Sequence, residues 1–120
     1  MCLDRRDKKV RHTEGEGYKV VRRFRHGYQT NLYQVFLKEG EWVSDPNDGM
    51  AKGYVAGGSY QTGFHIWDTL DGAREWMAIE QMVVRVAYRE VVATGYQYEH
   101  LKNHYPVTVA RKIKVLEEVG

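Results

Sequence analysis

The chain is poor in cysteine and proline and has no long apolar run. Its 120 residues include one cysteine, Cys2, and two prolines. A single thiol excludes an intrachain disulfide and leaves a cysteine-based zinc site without partners. An unpaired thiol fits a reducing cytosol, so a cytoplasmic location is the expectation. No stretch of apolar residues approaches the ~18 needed to cross a bilayer as a helix, so no membrane association is expected. The longest uncharged stretch, Gly53 to Trp67, is rich in glycine and polar residues. Met1-Cys2-Leu3-Asp4-Arg5-Arg6-Asp7-Lys8-Lys9 is charged without an apolar segment behind it, and does not read as a signal peptide. Neither sign of charge dominates: 18 basic and 16 acidic side chains leave +2. With 42% hydrophobic and 28% charged residues, a disordered chain, a collagen-like chain and a polyanionic DNA mimic are excluded. No segment meets the standard of a specific catalytic motif, and no cofactor or metal is implied.

What charge there is lies unevenly. Met1 to His26 holds nine basic residues against four acidic, a net +5, and the remainder nets −3. The basic segment reads either as an arm that meets phosphate or as a solvated tail leading into a charged strand. A nucleic-acid domain is usually basic overall, which argues against nucleic acid as the partner.

Residues 1–16 read as a loosely ordered charged segment and 17–120 as a single domain. Tyr18 to Phe24 is rich in β-formers and predicts a strand with Tyr18, Val20, Arg22 and Phe24 on one face. Asn31 to Leu37 predicts a second. Ser44 to Gly49 concentrates turn formers and predicts a loop, followed by a glycine-rich stretch containing Tyr54 and Tyr60. Gly63 to Trp67 predicts a short apolar strand. Thr69 to Gln81 predicts the one helix, capped by Asp68 or Thr69, with Leu70, Ala73, Trp76 and Met77 as its apolar stripe. Met82 to Ala93 predicts a long strand broken at Gly95. Pro106 marks a boundary, and Val107 to Val115 alternates as a strand with Thr108, Lys112 and Lys114 on a wet face. The expected fold is α+β: a twisted, mainly antiparallel sheet of about five strands with one helix on one face. Exposed edges would favour pairing between copies, so a homodimer is an expectation.

Several residues invite a chemical reading, each beside a plainer one. His65, between Phe64 and Ile66, is either the polar member of a pocket at the strand–helix junction or a histidine anchoring the strand end. His100 and His104 would share a face of a helix, as in zinc sites, with Glu99, His12 or His26 as a third ligand, or are surface histidines in a connection. Trimming of Met1 would expose Cys2 as an N-terminal nucleophile; otherwise it is a small side chain packed on the sheet. Gly57-Gly58-Ser59 lacks the lysine of a phosphate loop and suits a hairpin turn better. Arg85, Arg89 and Arg111 either cluster on a sheet surface, where guanidiniums suit phosphate or carboxylate, or pair across strands with Glu90, Glu117 or Glu118. Nine tyrosines add flat surfaces for a base.

The features that carry a resemblance are the opening Met1-Cys2-Leu3, Tyr18-Lys19-Val20, Gly63-Phe64-His65 before a helix with Ala73, Val83-Val84-Arg85-Val86, and a last strand followed by Glu117-Glu118. In these features the chain resembles short proteins of no assigned activity encoded by tailed phages and prophage-like regions of bacterial genomes. The resemblance implies a small phage accessory protein in the host cytosol, of a kind that often counteracts host defence. The leading expectation is a non-enzymatic binding module for a small anionic ligand such as a nucleotide, or for a host protein. The residues expected to carry it are Arg85, Arg89, Arg111, Tyr54, Tyr60 and His65. The alternatives are a small nucleotide-processing enzyme using His65 or the His100/His104 pair, and nucleic-acid binding through the basic segment.

Overall fold

Long β-forming runs dominate the sequence, and nearly all of them find strand partners. A computed structural model describes residues 3–31, 34–46, 52–55, 58–61, 63–99 and 103–119. Ten strands are described: β1 (Arg5–Arg6), β2 (Glu14–Phe24), β3 (Gly27–Thr30), β4 (Phe36–Leu37), β5 (Trp42–Ser44), β6 (Lys52–Val55), β7 (Gly58–Gln61), β8 (Phe64–Trp67), β9 (Met82–Glu99) and β10 (Asn103–Glu118). One helix, α1 (Leu70–Glu75), interrupts them. Eight strands form one antiparallel sheet in the order β1-β9-β10-β8-β2-β3-β4, with β5 on β10, and β6 and β7 pair separately. The expected α+β sheet of about five strands is not what the chain forms. The molecule is mostly β, with eight strands in its main sheet instead of about five, and its helix has only six residues.

The pairings also close on themselves. β2 runs along β9 from Glu14 to Val21, β9 along β10, β10 along β8, and β8 returns to β2 at Tyr18↔Trp67. The ring splits the buried side chains into two clusters. Val21, Ile66, Val84, Val86, Tyr88, Ile113 and Val115 pack in one; Leu3, Val20, Trp67, Ala73, Val83, Val107 and Val109 pack in the other, with Leu70 and Trp76 against them. Complete burial of a side chain such as Ile66 stabilises by roughly 2–3 kcal/mol, and a six-residue helix depends on such packing because it is too short to persist alone.

Four local expectations change for identifiable reasons. The helix begins where expected, with the Thr69 side chain accepting from Gly72 N at 3.1 Å. It stops at Glu75 because Trp76 turns to stack on Trp67, leaving Met77 exposed. Gly95 does not break β9. It lets β1 lie against it, since a Cβ there would sit 1.9 Å from the Arg5 carbonyl oxygen. Pro106 lies inside β10 opposite Tyr96. Its carbonyl accepts from Asp68 N at 3.0 Å, so its missing N–H would have pointed to that same side, where β8 has ended, and not into the β9 ladder. Thr108 is fully buried rather than wet.

The described part of the basic segment is tied down. Asp4 N and Asp7 N donate to Tyr96 O and Thr94 O, both at 2.9 Å, and the Arg5 guanidinium lies 4.3 Å over the Tyr96 ring. Strand β2 begins at Glu14, earlier than Tyr18. Among the described residues no helix is long and apolar enough to cross a membrane.

Candidate functional site

Strands β2 and β8 touch through one residue pair, Tyr18↔Trp67. Beyond it the two strands part, and among the described residues no further β2–β8 pair is formed. The Lys19 side chain bridges to β8 there, its Nζ donating to His65 O at 2.8 Å. The same parting of the strands opens a cavity of about 380 Å³, within the ~300–1,000 Å³ usual for small-molecule sites.

Each wall has a local cause. All four residues of β8 are buried, and alternation sends Phe64 and Ile66 into the first core cluster. His65 then shares the opposite side with Trp67 and lines the cavity. The short helix delivers Trp76, whose indole stacks on Trp67 with centroids 4.5 Å apart and 24° between planes; Tyr105 meets Trp76 edge-on at 5.5 Å. Thr30, at the end of β3, and Asp45, just past β5, add polar groups, and Asp45 is 7% exposed. The turn after Trp76 forms a lip. Ala78 N donates to Gln81 Oε1 at 2.7 Å, Glu80 takes a φ of 66°, and Ile79 is left 92% exposed.

The electrostatics are unusual for so small a chamber. Burial lowers the Lys19 ammonium from 10.5 to about 8. Part of the residue remains accessible, but the ammonium itself is crowded by protein, and no described carboxylate pairs with it. Burial, helped by the Lys19 charge, lowers His65 from 6.5 to about 3, so its imidazole is neutral at physiological pH. A neutral imidazole donates and accepts one hydrogen bond; with a pKa so far below 7 it is a poor general base. The chamber therefore holds one cation, the Asp45 carboxylate, a neutral imidazole that also bonds the Gly63 backbone, and a two-indole wall.

The residues singled out in the sequence are distributed as follows. His65 lines the cavity. Tyr54 and Tyr60 lie on the paired strands β6 and β7, where Tyr54 opposes Ser59 and Tyr60 opposes Gly53. Arg85 and Arg111 do lie on adjacent strands, but the register keeps them apart. Arg85 opposes Glu117, whereas Arg111 follows Ala110, which opposes Val91. Six residues of strand separate the two levels, about 20 Å. Arg85 donates to Glu117 at 3.0 Å and to Glu16, which raises its pKa further. The Arg89 guanidinium lies 4.2 Å over the Trp42 ring. Arg111 lines another pocket with Ser44, Asp45, Glu90 and Lys112, and Asp45 also borders the first cavity.

Asp68 serves a different cluster from His65. It accepts from Thr108 at 2.7 Å and pairs with Arg11 at 3.2 Å, while Arg11 also reaches Asp7 at 2.9 Å. His12 meets the Thr108 hydroxyl at 3.0 Å and the Tyr88 hydroxyl at 2.7 Å. This network pins the N-terminal segment across the sheet. His104 sits on β10 and stacks on Tyr98 at 4.0 Å, so the helical spacing argument does not apply to it. His100, Cys2 and Gly57 lie outside the described residues. Among the described residues no three metal-ligating side chains converge.

Lys19 and Trp76 are the site residues that sequence reasoning passed over. Lys19 counted as one more charge in the basic segment, although a lysine inside Tyr18-Lys19-Val20-Val21 stands in an otherwise apolar run. Trp76 fitted the apolar stripe of a longer helix. Comparison of the chain with family models, curated proteins and solved structures finds no match.

Proposed function

We propose that this chain is a non-enzymatic binding module that takes up a small anionic ligand with a flat ring, of the nucleotide kind. The observation that supports the reading best is the cavity between β2 and β8, which Lys19 and the stacked Trp67–Trp76 pair both line. An aromatic ring gains about 0.5–1.5 kcal/mol from stacking beyond its area burial. A hydrogen bond to a charged group adds about 1.5–3 kcal/mol, most where water is excluded. His65 and Thr30 supply neutral contacts that orient a ligand without moving a proton. The neutral state of His65 speaks for binding over turnover. A phage accessory protein acting in a bacterial cytosol, holding a signalling nucleotide away from a host receptor, is the setting this reading serves.

Native mass spectrometry against a panel of nucleotides, including cyclic and ADP-ribose-type compounds, tests it. One member of the panel should be retained. Lys19→Met and Trp76→Ala should each weaken it by about 10-fold or more, while Arg85→Ala leaves it bound. A panel ignored in full, or a ligand indifferent to both cavity variants, contradicts the reading and turns attention to a host protein as partner.

A further inference from the structure

The Lys19 amine is more than a charge at the wall. Its Nζ has one N–H committed to the His65 carbonyl, and it stands in a cavity roomy enough for a ring. No described carboxylate holds it as an ammonium ion. The Phe64 ring centroid lies 5.8 Å from it. Two titratable groups share the cavity with it. His65 is neutral, and Asp45 enters from the end of β5. The elements packed from the helix side contribute Trp76, Ala78 and Gln81, which carry no charge.

We propose that Lys19 captures carbonyl-bearing ligands covalently and reversibly, forming an imine with a small aldehyde whose ring rests against Trp67 and Trp76. The inference rests on the binding reading of the same cavity and narrows its ligand to an anion with a flat ring and an aldehyde, as in a nucleotide carrying a reducing sugar. The chemistry balances without an oxidant or reductant. The neutral Nζ adds to the carbonyl carbon, its surplus proton passes to the carbonyl oxygen, and loss of water leaves the C=N bond. Hydrolysis runs the same steps backwards and releases the ligand intact. The lowered pKa supports this, because a lysine near 8 is neutral far more often at pH 7.5 than one at its ordinary value of 10.5.

Pyridoxal 5′-phosphate is a suitable probe, with a flat ring, an anion and an aldehyde. Pyridoxine 5′-phosphate replaces the aldehyde with an alcohol. The full chain is mixed with the first, treated with borohydride and mapped by peptide mass spectrometry. Labelling should fall on Lys19 at least about tenfold ahead of the seven other lysines. It should grow as pH rises from 6 to 8, and before reduction it should be reversed by dilution. Lys19→Arg should lose that label, whereas Arg85→Ala, outside the cavity, should keep both the label and the binding of pyridoxine 5′-phosphate, read from tryptophan quenching. Labels spread evenly over the lysines overturn the covalent inference. If pyridoxine 5′-phosphate nevertheless quenches and competes with a bound nucleotide, the cavity reading survives that failure. If neither ester quenches or labels the cavity, both fall together.

Discussion

Charge is handled differently on the two sides of this sheet. Where β9 runs beside β10 and β2, cations meet partners. Arg85 lies between Glu117 and Glu16, Lys112 reaches Glu90 at 3.0 Å, and Arg89 and Lys114 flank the Trp42 ring at 4.2 and 5.0 Å. In the gap between β2 and β8 the Lys19 ammonium donates to a carbonyl, and the described Asp45 carboxylate lines the same cavity without forming an ion pair with it. Exposed pairs on the first face are worth little, about 0–1 kcal/mol each, and are already complete. The second region bears a desolvation cost that the hydrogen bond to His65 O offsets only in part. Perturbed groups of that kind cluster at functional sites, which is why the proposed ligand is placed there.

The comparison can be broken most forcefully at the scaffold both regions share. Ile66→Ala empties a fully buried position behind the cavity wall. It should cost about 2–5 kcal/mol of stability in denaturant titration, and with it the cavity geometry. A loss below 1 kcal/mol would mean that β8 is not held as described.

Acid separates the two regions next. His65 has its pKa depressed from 6.5 to about 3, so the unfolded chain binds the extra proton first. Stability from this group is therefore full above pH 6.5 and falls as pH drops through that window towards 3. Between pH 7 and 5 the loss should be about 2 kcal/mol. His65→Gln should flatten that part of the pH profile, whereas Arg85→Ala should leave its shape alone.

Lys19→Met sharpens the contrast in the opposite direction. Removing the buried cation should raise stability at pH 7 by about 1–2 kcal/mol, discounted for the part of the residue that meets solvent. The advantage should shrink as pH rises from 8 to 10.5, where the folded wild type sheds the charge ahead of its unfolded form. The same variant should bind ligand less well, gaining stability at the expense of function. Arg85→Ala is the smallest effect expected. Thermal melts should barely separate it from wild type.

Part of this layout is legible in the residues alone. The Thr69 cap, the apolar β8 and the β run from Met82 rest on local preferences that tertiary contacts reinforce. The stop of α1 at Glu75 is not legible, because it depends on Trp76 meeting an indole nine residues back. Gly95 and Pro106 read as interruptions because their cause, the approach of β1 and the end of β8, lies far off in sequence. Alternation made Thr108 a surface residue, yet Asp68 and His12 bury it with its hydroxyl satisfied. The candidate site shows the same division. His65 stood out as a lone histidine beside a predicted junction. Lys19 did not, since its role comes from β2 and β8 separating after a single shared pair. That Arg85 and Arg111 occupy neighbouring strands yet fail to meet is a matter of register, which no single strand encodes.

Three tryptophans report the two regions separately: Trp42 on the paired face, Trp67 and Trp76 at the cavity. Their indole N–H signals in a ¹H–¹⁵N NMR titration with a nucleotide retained in the mass-spectrometric panel test the central claim most directly. The account predicts that the Trp67 and Trp76 signals move together with the backbone amides of Lys19 and His65, while Trp42 stays still. Movement of Trp42 with the amides around Arg85 and Arg89, and none at the cavity, would contradict it.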